Sequence, residues 1–154
     1  MDDDPMYSGF IRQRVAGILE EEGKLLLVKL LSPVSNQEIW IPPGGGVEFG
    51  EPFHQALNRE FSEETSIQIS VCELLHINEL ISGKFHVIEH FFKVKKESGT
   101  PKLGIDPEHP KDQQLLSDIG FFSREQLQKL NCKPEYLKTT YWDKTATTSF
   151  DSQR

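Results

Sequence analysis

The sequence predicts a single α/β domain, a sandwich built on a mixed β-sheet, and three observations carry that expectation. Short apolar runs bounded by turn residues outnumber helical patterns. One long helical pattern follows a glycine-rich loop in mid-chain. The first two apolar runs are spaced as a hairpin and not as a βαβ unit, which argues against a doubly wound parallel sheet. At 154 residues the chain can build one substantial core but is short for two.

Residues 1–10 begin acidic and Pro-containing and are expected to be a flexible N terminus, with the ordered domain over 11–144. Residues 15–19 and 25–30, separated by Glu20-Glu21-Glu22-Gly23-Lys24, read as the two strands of a hairpin. Residues 32–37 form a polar loop. Ile39-Trp40-Ile41 is a short strand, stopped by Pro42-Pro43 and Gly44-Gly45-Gly46, where neither helix nor ladder is expected to continue. From Glu51-Pro52 the pattern is helical to about Thr65, with Pro52 suited to a first helical position. Strands follow at 67–75 and 85–95, with a further piece at 76–81 before the Ser82-Gly83-Lys84 turn. Residues 97–114 hold two Gly and three Pro in a stretch longer than a usual connection. A strand at 115–122, a helix capped by Ser123 and running to Leu130, a last helix at 134–144 and a disordered tail at 145–154 complete the expectation.

Net charge is −7, from 24 acidic against 17 basic residues, with no run of five basic ones, so a nucleic-acid polymer is not the expected partner. A protein that meets an anionic ligand through a divalent cation carries excess carboxylate without penalty. Apolar runs such as 25–28 fall far below the ~20 residues of a membrane-spanning helix. The first residues are acidic, unlike the basic end of a signal peptide, so neither a membrane nor a secreted location is expected. Cys72 and Cys132 are too few for a disulfide framework and lack metal spacing. They read as packing residues in a reducing, cytoplasmic compartment.

The anomaly lies in the mid-chain helix. On a wheel at about 100° per residue with Phe53 at zero, Leu57 falls near 40°, Phe61 near 80° and Ala56 near 300°. Glu60 falls near 340°, Glu64 near 20° and Glu63 near 280°, so three carboxylates lie on or beside the apolar stripe. A merely solvated acidic face would occupy the sector filled by His54, Gln55, Asn58 and Ser62. Carboxylates crowded against the body of a protein need cations. Arg59 is one, but a single guanidinium does not neutralise these three and Glu51 together. A divalent metal with hard oxygen ligands does, and Mg2+ is the usual choice when a phosphate supplies the remaining oxygens. The glycines at 44–46 allow backbone to approach a ligand closely.

These residues resemble the Nudix box, a Gly, five residues, Glu, seven residues, then Arg-Glu-apolar-any-Glu-Glu-any-Gly-apolar. Here Gly45 and Glu51 precede Arg59-Glu60-Phe61-Ser62-Glu63-Glu64-Thr65-Ser66-Ile67, so the motif covers 23 residues and every charged position matches. The departure is Ser66 in place of Gly, at a left-handed helix end that a non-Gly residue occupies at a cost of roughly 1 kcal/mol. The resemblance implies a Nudix-type α/β/α sandwich and hydrolysis of a nucleoside diphosphate linked to another group, with Mg2+ or Mn2+. It also implies that Glu60, Glu63, Glu64 and the Gly45 carbonyl ligate metal and that Arg59 with Glu51 forms an orienting ion pair. Homodimers are frequent in the family.

The chemistry is consistent with the residues themselves. Anionic oxygens of a diphosphate repel a nucleophile, and a metal neutralises them and acidifies a bound water, whose proton a nearby carboxylate takes. Glu63 or Glu64 is the candidate base, with Asp106, Glu108, His109 and Asp112 of the 97–114 loop as alternatives. His76, His86 and His90 read as packed or surface histidines, Trp40 as core, and Phe91-Phe92 and Phe121-Phe122 as strand pairs with one ring inward. Phe10, Arg12 and Arg14 on the first strand are candidates for nucleotide contact.

The long 97–114 loop favours a nucleotide sugar or ADP-ribose type substrate over nucleoside triphosphates. The proline that often follows the box in ADP-ribose-type enzymes is absent, since residues 80–83 read Leu80-Ile81-Ser82-Gly83. The alternative is a catalytically silent Nudix-like module that senses a nucleotide or binds a protein. Such modules usually lose a helical carboxylate, and none is lost here.

Overall fold

The computed structural model describes residues 9–32, 35–104 and 116–154. In chain order the elements are β1 (Arg12–Ile18), β2 (Glu20–Glu21), β3 (Lys24–Leu31), β4 (Glu38–Ile41), β5 (Gly44–Gly46), α1 (Phe53–Thr65), β6 (Gln68–Ser82), β7 (Phe85–Ser98), β8 (Leu116–Ser123), α2 (Arg124–Gln128), two short 3-10 segments (Glu135–Lys138 and Thr140–Trp142) and β9 (Ser149–Gln153). A five-stranded sheet runs β5-β1-β7-β6-β9, mixed because β1 lies parallel to β7 and β6 parallel to β9. A second sheet is antiparallel, with β3 flanked by β8 on one side and by β2 and β4 on the other. Among the described residues no helix is long and apolar enough to cross a membrane.

Alternation along the strands makes two core layers. Val15, Leu26 and Phe92 turn toward α1, whose Ala56, Leu57 and Phe61 are fully buried. Ala16, Leu25, Leu27 and Phe91 turn the other way, toward Leu127 of α2 and Tyr136 and Leu137 beyond it. This is the expected mixed-sheet sandwich in a single domain. It also corrects the reading of Phe91-Phe92 as one ring inward, because protein covers both faces of the sheet and both rings are buried. Phe121 and Phe122 likewise pack against opposite layers.

The first two apolar runs do not pair with each other. β1 joins β5 and β7 in one sheet while β3 belongs to the other, and the chain crosses between sheets at Leu19. The hairpin is the short one between β2 and β3, turning through Glu22 and Gly23, both at positive φ. β6 is one strand of 15 residues with register shifts against β7, not two pieces. Ser123 and Gln126 form the reciprocal cap expected at the start of α2, which ends at Gln128. The expected helix over 134–144 is two 3-10 segments instead.

The glycine run is not a loop. Gly44–Gly46 pair with Ala16, Val15 and Arg14 as β5, because a Cβ at Gly44 would stand 2.0 Å from the Val15 carbonyl oxygen. The tail is likewise corrected, since 149–153 form a strand. Its sequence lacks an apolar run, and polar contacts hold it. The Ser149 hydroxyl lies 2.6 Å from Nδ1 of buried His76, and Ser152 Oγ donates to Glu79 Oε1 at 2.9 Å. Residues 1–8, most of the expected flexible N terminus, lie outside the described residues.

Ser66 closes α1 at φ 63°, the left-handed end that the box reserves for Gly, with its N–H donating to the Ser62 carbonyl. Ser66→Gly is therefore expected to raise unfolding stability by about 0.5–1 kcal/mol in denaturant titration. Ending the chain at Thr148 uncovers His76 and should lower stability by about 1–3 kcal/mol, read as a drop of several degrees in Tm. An unchanged Tm would show that β9 contributes nothing to the sheet.

Candidate active site

The carboxylates of α1 face the glycine strand. The side of the helix that buries Leu57 and Phe61 against the sheet brings Glu60 and Glu64 over β5, as the wheel requires. A Cβ at Gly45 would lie 2.4 Å from the Glu60 carboxyl carbon, so only Gly permits this approach. The Gly44 N–H donates to Glu64 Oε1 at 3.2 Å. Strand and helix are thus held together by polar groups as well as by their apolar faces.

Arg59 gathers the remaining acids. Its Nε and Nη2 donate to the two oxygens of Glu51 at 2.9 Å each, a bidentate pair in which the Glu51 side chain is only 9% exposed. Its Nη1 donates to Glu60 Oε1 at 2.9 Å and stands 3.7 Å from Glu63 Oε2. Nη2 also reaches the Gly46 carbonyl at 3.4 Å. The hydrogen bonds from Arg59 hold the Glu51 carboxyl below the usual carboxylate range, and Glu51 in turn raises the Arg59 pKa. Glu60 moves the other way. Burial pushes its carboxyl up, opposed by Arg59 and Arg14 and reinforced by the neighbouring Glu63.

Glu60, Glu63, Glu64, Arg59, Glu51 and Gly45 are all brought to one place. Among the described residues no three acidic, His or Cys side chains converge as a ready metal cluster, since the carboxylates are turned to Arg59 and to the Gly44 N–H. The donor set nevertheless fits a hard divalent cation. It consists of carboxylates beside a backbone that carries no Cβ, with one acid destabilised by burial. Of the loop candidates for the base, Asp106, Glu108, His109 and Asp112 lie outside the described residues. The loop's near end is nonetheless fixed at the site. The Gly104 N–H donates to the Glu64 carbonyl, and a Cβ there would collide with the Glu63 carbonyl oxygen. Sequence reasoning missed Gly104, and an isolated Gly in a long loop was the available signal.

The histidines behave as packed groups. His76 is buried and stacked on Tyr136, His86 pairs with Glu79, and His90 lies against the Arg14 carbonyl and the Phe53 ring. Trp40 packs edge-on against Phe122. Phe10 is half exposed, whereas Arg12 and Arg14 line a cavity of about 440 Å³ between the two sheets. That cavity is walled by Ile39 and Ile41 of β4 on one side and by Asn78 and Glu89 of β6 and β7 on the other. Burial lowers the His76 pKa and raises the Cys132 thiol. Both cysteines are free, and Cys132 packs in the second core layer as expected.

Comparison with known proteins agrees with this geometry. A family model described as the NUDIX domain matches residues 11–142. The CTP pyrophosphohydrolase of Escherichia coli (strain K12) is 35% identical over 88 residues, which are 56% of this chain and 64% of that relative. The chain therefore matches just under two thirds of that protein's length. The solution structure of the E. coli ORF135 protein is similar at TM-score 0.64 and 25% identity, covering 86% of each chain. A NUDIX hydrolase from Nitrosomonas europaea shares the fold at TM-score 0.70 and 21% identity, over 87% of this chain and 88% of its own. A match running from the first strand to the last short helix, on a fold shared with solved Nudix proteins, means that this chain belongs to the Nudix hydrolase family.

Proposed function

We propose that the protein is a divalent-metal-dependent pyrophosphohydrolase that cleaves the diphosphate linkage of a nucleoside diphosphate derivative, with the nucleoside held between the two sheets. One observation carries this reading. β1 presents Arg12 and Arg14 to the cavity while its edge partner β5 sets Gly45 against Glu60, so a cationic strand joins the cavity to the carboxylates. A nucleotide is a flat, partly apolar base joined to an anionic chain, and the site has that same division.

Glu60, Glu63, Glu64 and the Gly45 carbonyl would hold Mg2+ or Mn2+. When bound, such an ion neutralises phosphate oxygens and acidifies a water. Arg12 and Arg14 draw the diphosphate to the carboxylate end and offset its charge. Glu63 or Glu64 takes the proton of the attacking water. The Glu51–Arg59 pair fixes the guanidinium, which stands between the charges of Glu60 and Glu63 and holds Glu60 where it faces β5. Two free cysteines support a cytoplasmic location.

For the group beyond the diphosphate, the length of the 97–114 stretch, whose described part meets the end of α1 at Lys102 and Gly104, supports a nucleotide sugar or ADP-ribose type substrate. The second reading is a nucleoside triphosphate, favoured by the name of the 35% identical relative. A phosphate-release panel of ADP-ribose, nucleotide sugars, dinucleoside polyphosphates and nucleoside triphosphates, with and without Mg2+, distinguishes them. Metal-dependent turnover of one class is expected. Binding without turnover across the panel would favour the silent module.

Glu63→Gln or Glu64→Gln should cut kcat by about 100-fold or more with the fold intact. Full activity in both would remove the metal and base assignments. Glu60→Gln relieves a buried carboxylate whose raised pKa costs stability as pH rises through it, so the metal-free variant should melt higher than the wild type at pH 8. Mg2+ should then raise the Tm of the wild type but not that of Glu60→Gln. Gly45→Ala displaces the Glu60 carboxylate and should lower kcat by about 100-fold while changing KM less.

A further inference from the structure

Across the five-stranded sheet, Arg14, Glu89, Asn78 and Asp151 are successive register partners on β1, β7, β6 and β9. They form one polar row, and the first three line the cavity. Above and below the row stand apolar neighbours, Val87 and Leu80 on one side and Ala16 and Phe91 on the other, which also line it. Apolar neighbours around the middle of one polar row, with Arg12 and Gln153 at the two ends of the next, suit a flat ring whose edge carries a few hydrogen-bonding groups.

The row has a fixed polarity. Asn78 is only 6% exposed, and its Nδ2 donates to Glu89 Oε1 at 3.2 Å. Glu89 Oε2 in turn stands 3.6 Å from Arg14 Nε. A carboxylate accepts and does not donate, so it holds the Asn78 amide with nitrogen toward Glu89 and oxygen away. Asn78 Oδ1 is buried and has no hydrogen-bond partner among the described residues. Buried acceptors are normally satisfied, so an acceptor held in place without a donor, on a cavity wall, points to a ligand that brings one.

We propose that Asn78, oriented by Glu89, accepts a hydrogen bond from the exocyclic amino group of the substrate's base, so that the cavity favours amino-bearing bases over uracil and thymine. The proposal rests on the reading that this cavity holds the nucleoside. Cytosine, adenine and guanine each offer an amino donor. Uracil and thymine present a carbonyl where cytosine has its amino group and carry their ring donor one atom further, at N3, so a pyrimidine seated with its 4-substituent at Asn78 pairs Oδ1 when it is cytosine and sets acceptor against acceptor when it is uracil or thymine. Arg12 and Arg14 do not reverse the preference, because they lie at the end nearer the carboxylates, where the phosphates belong.

Cytidine and uridine 5′-monophosphates differ only at this edge, and titration calorimetry of the metal-free full chain with each gives a readout independent of turnover. The cytidine nucleotide should bind at least about ten-fold more tightly. Asn78→Leu, checked for folding by its melting curve, should bring the two affinities together, weakening the cytidine nucleotide and strengthening, if anything, the uridine one. Glu89→Gln lets the Asn78 amide turn over and should narrow the ratio with Asn78 still present. Equal affinities in the wild type, or a ratio that survives Asn78→Leu, would overturn the assignment. Turnover in the substrate panel without discrimination between the two monophosphates would overturn it while leaving the pyrophosphohydrolase intact. Discrimination without turnover would support the base contact and sink the pyrophosphohydrolase.

Discussion

The structure depends on three residues that have no side chain. A Cβ at Gly44 would meet the Val15 carbonyl of β1, one at Gly45 the Glu60 carboxylate of α1, and one at Gly46 the Arg12 guanidinium. The space left by those missing atoms lets a strand edge, a helix and a cluster of acids share one small volume. Residues on either side of it are placed to allow that contact. Proline 43 accepts from the Gly17 N–H and starts the strand, and the left-handed Ser66 ends the helix within one residue of buried Ile67.

Such closeness makes the helix electrostatically unfavourable by itself. Glu60 is pushed toward its neutral form by burial and by Glu63, and a single guanidinium ties it to Glu51 and Glu63. Strain of this kind is common at sites adapted to a charged ligand, where local stability is traded for a place that welcomes opposite charge. Arg59 therefore has two consequences. It fastens the loop before α1 to the helix through nearly buried Glu51, and it keeps the carboxylates from repelling one another into solvent.

The site was more legible in the sequence than the fold around it. Charges at fixed spacing, on the wrong side of a helix, are a local signal, and Glu60, Glu63 and Glu64 are where the wheel puts them. Sheet membership is not local. Val15 and Ala16 are both buried, in different layers, so no alternation told β1 from β3 or kept them out of one hairpin. Gly44–Gly46 looked like a turn because glycine's use as a close-packing residue shows only when its neighbours are known. β9 looked disordered because its cohesion comes from Ser149 meeting His76 and Ser152 meeting Glu79, more than 70 positions away. The cavity was legible only through Arg12 and Arg14, and Asn78 gave no sign in sequence of the partner that fixes its amide.

The placement of β9 makes this strand part of the cavity. Gln153 lines the cavity, and its register partner Leu80 lies across the strand pair on the same wall. Whenever β9 peels from β6, part of the cavity wall leaves with it. Filling of the cavity and detachment of β9 are thus coupled, and any ligand seated there would slow hydrogen exchange at β9 amides some distance from the atoms it touches.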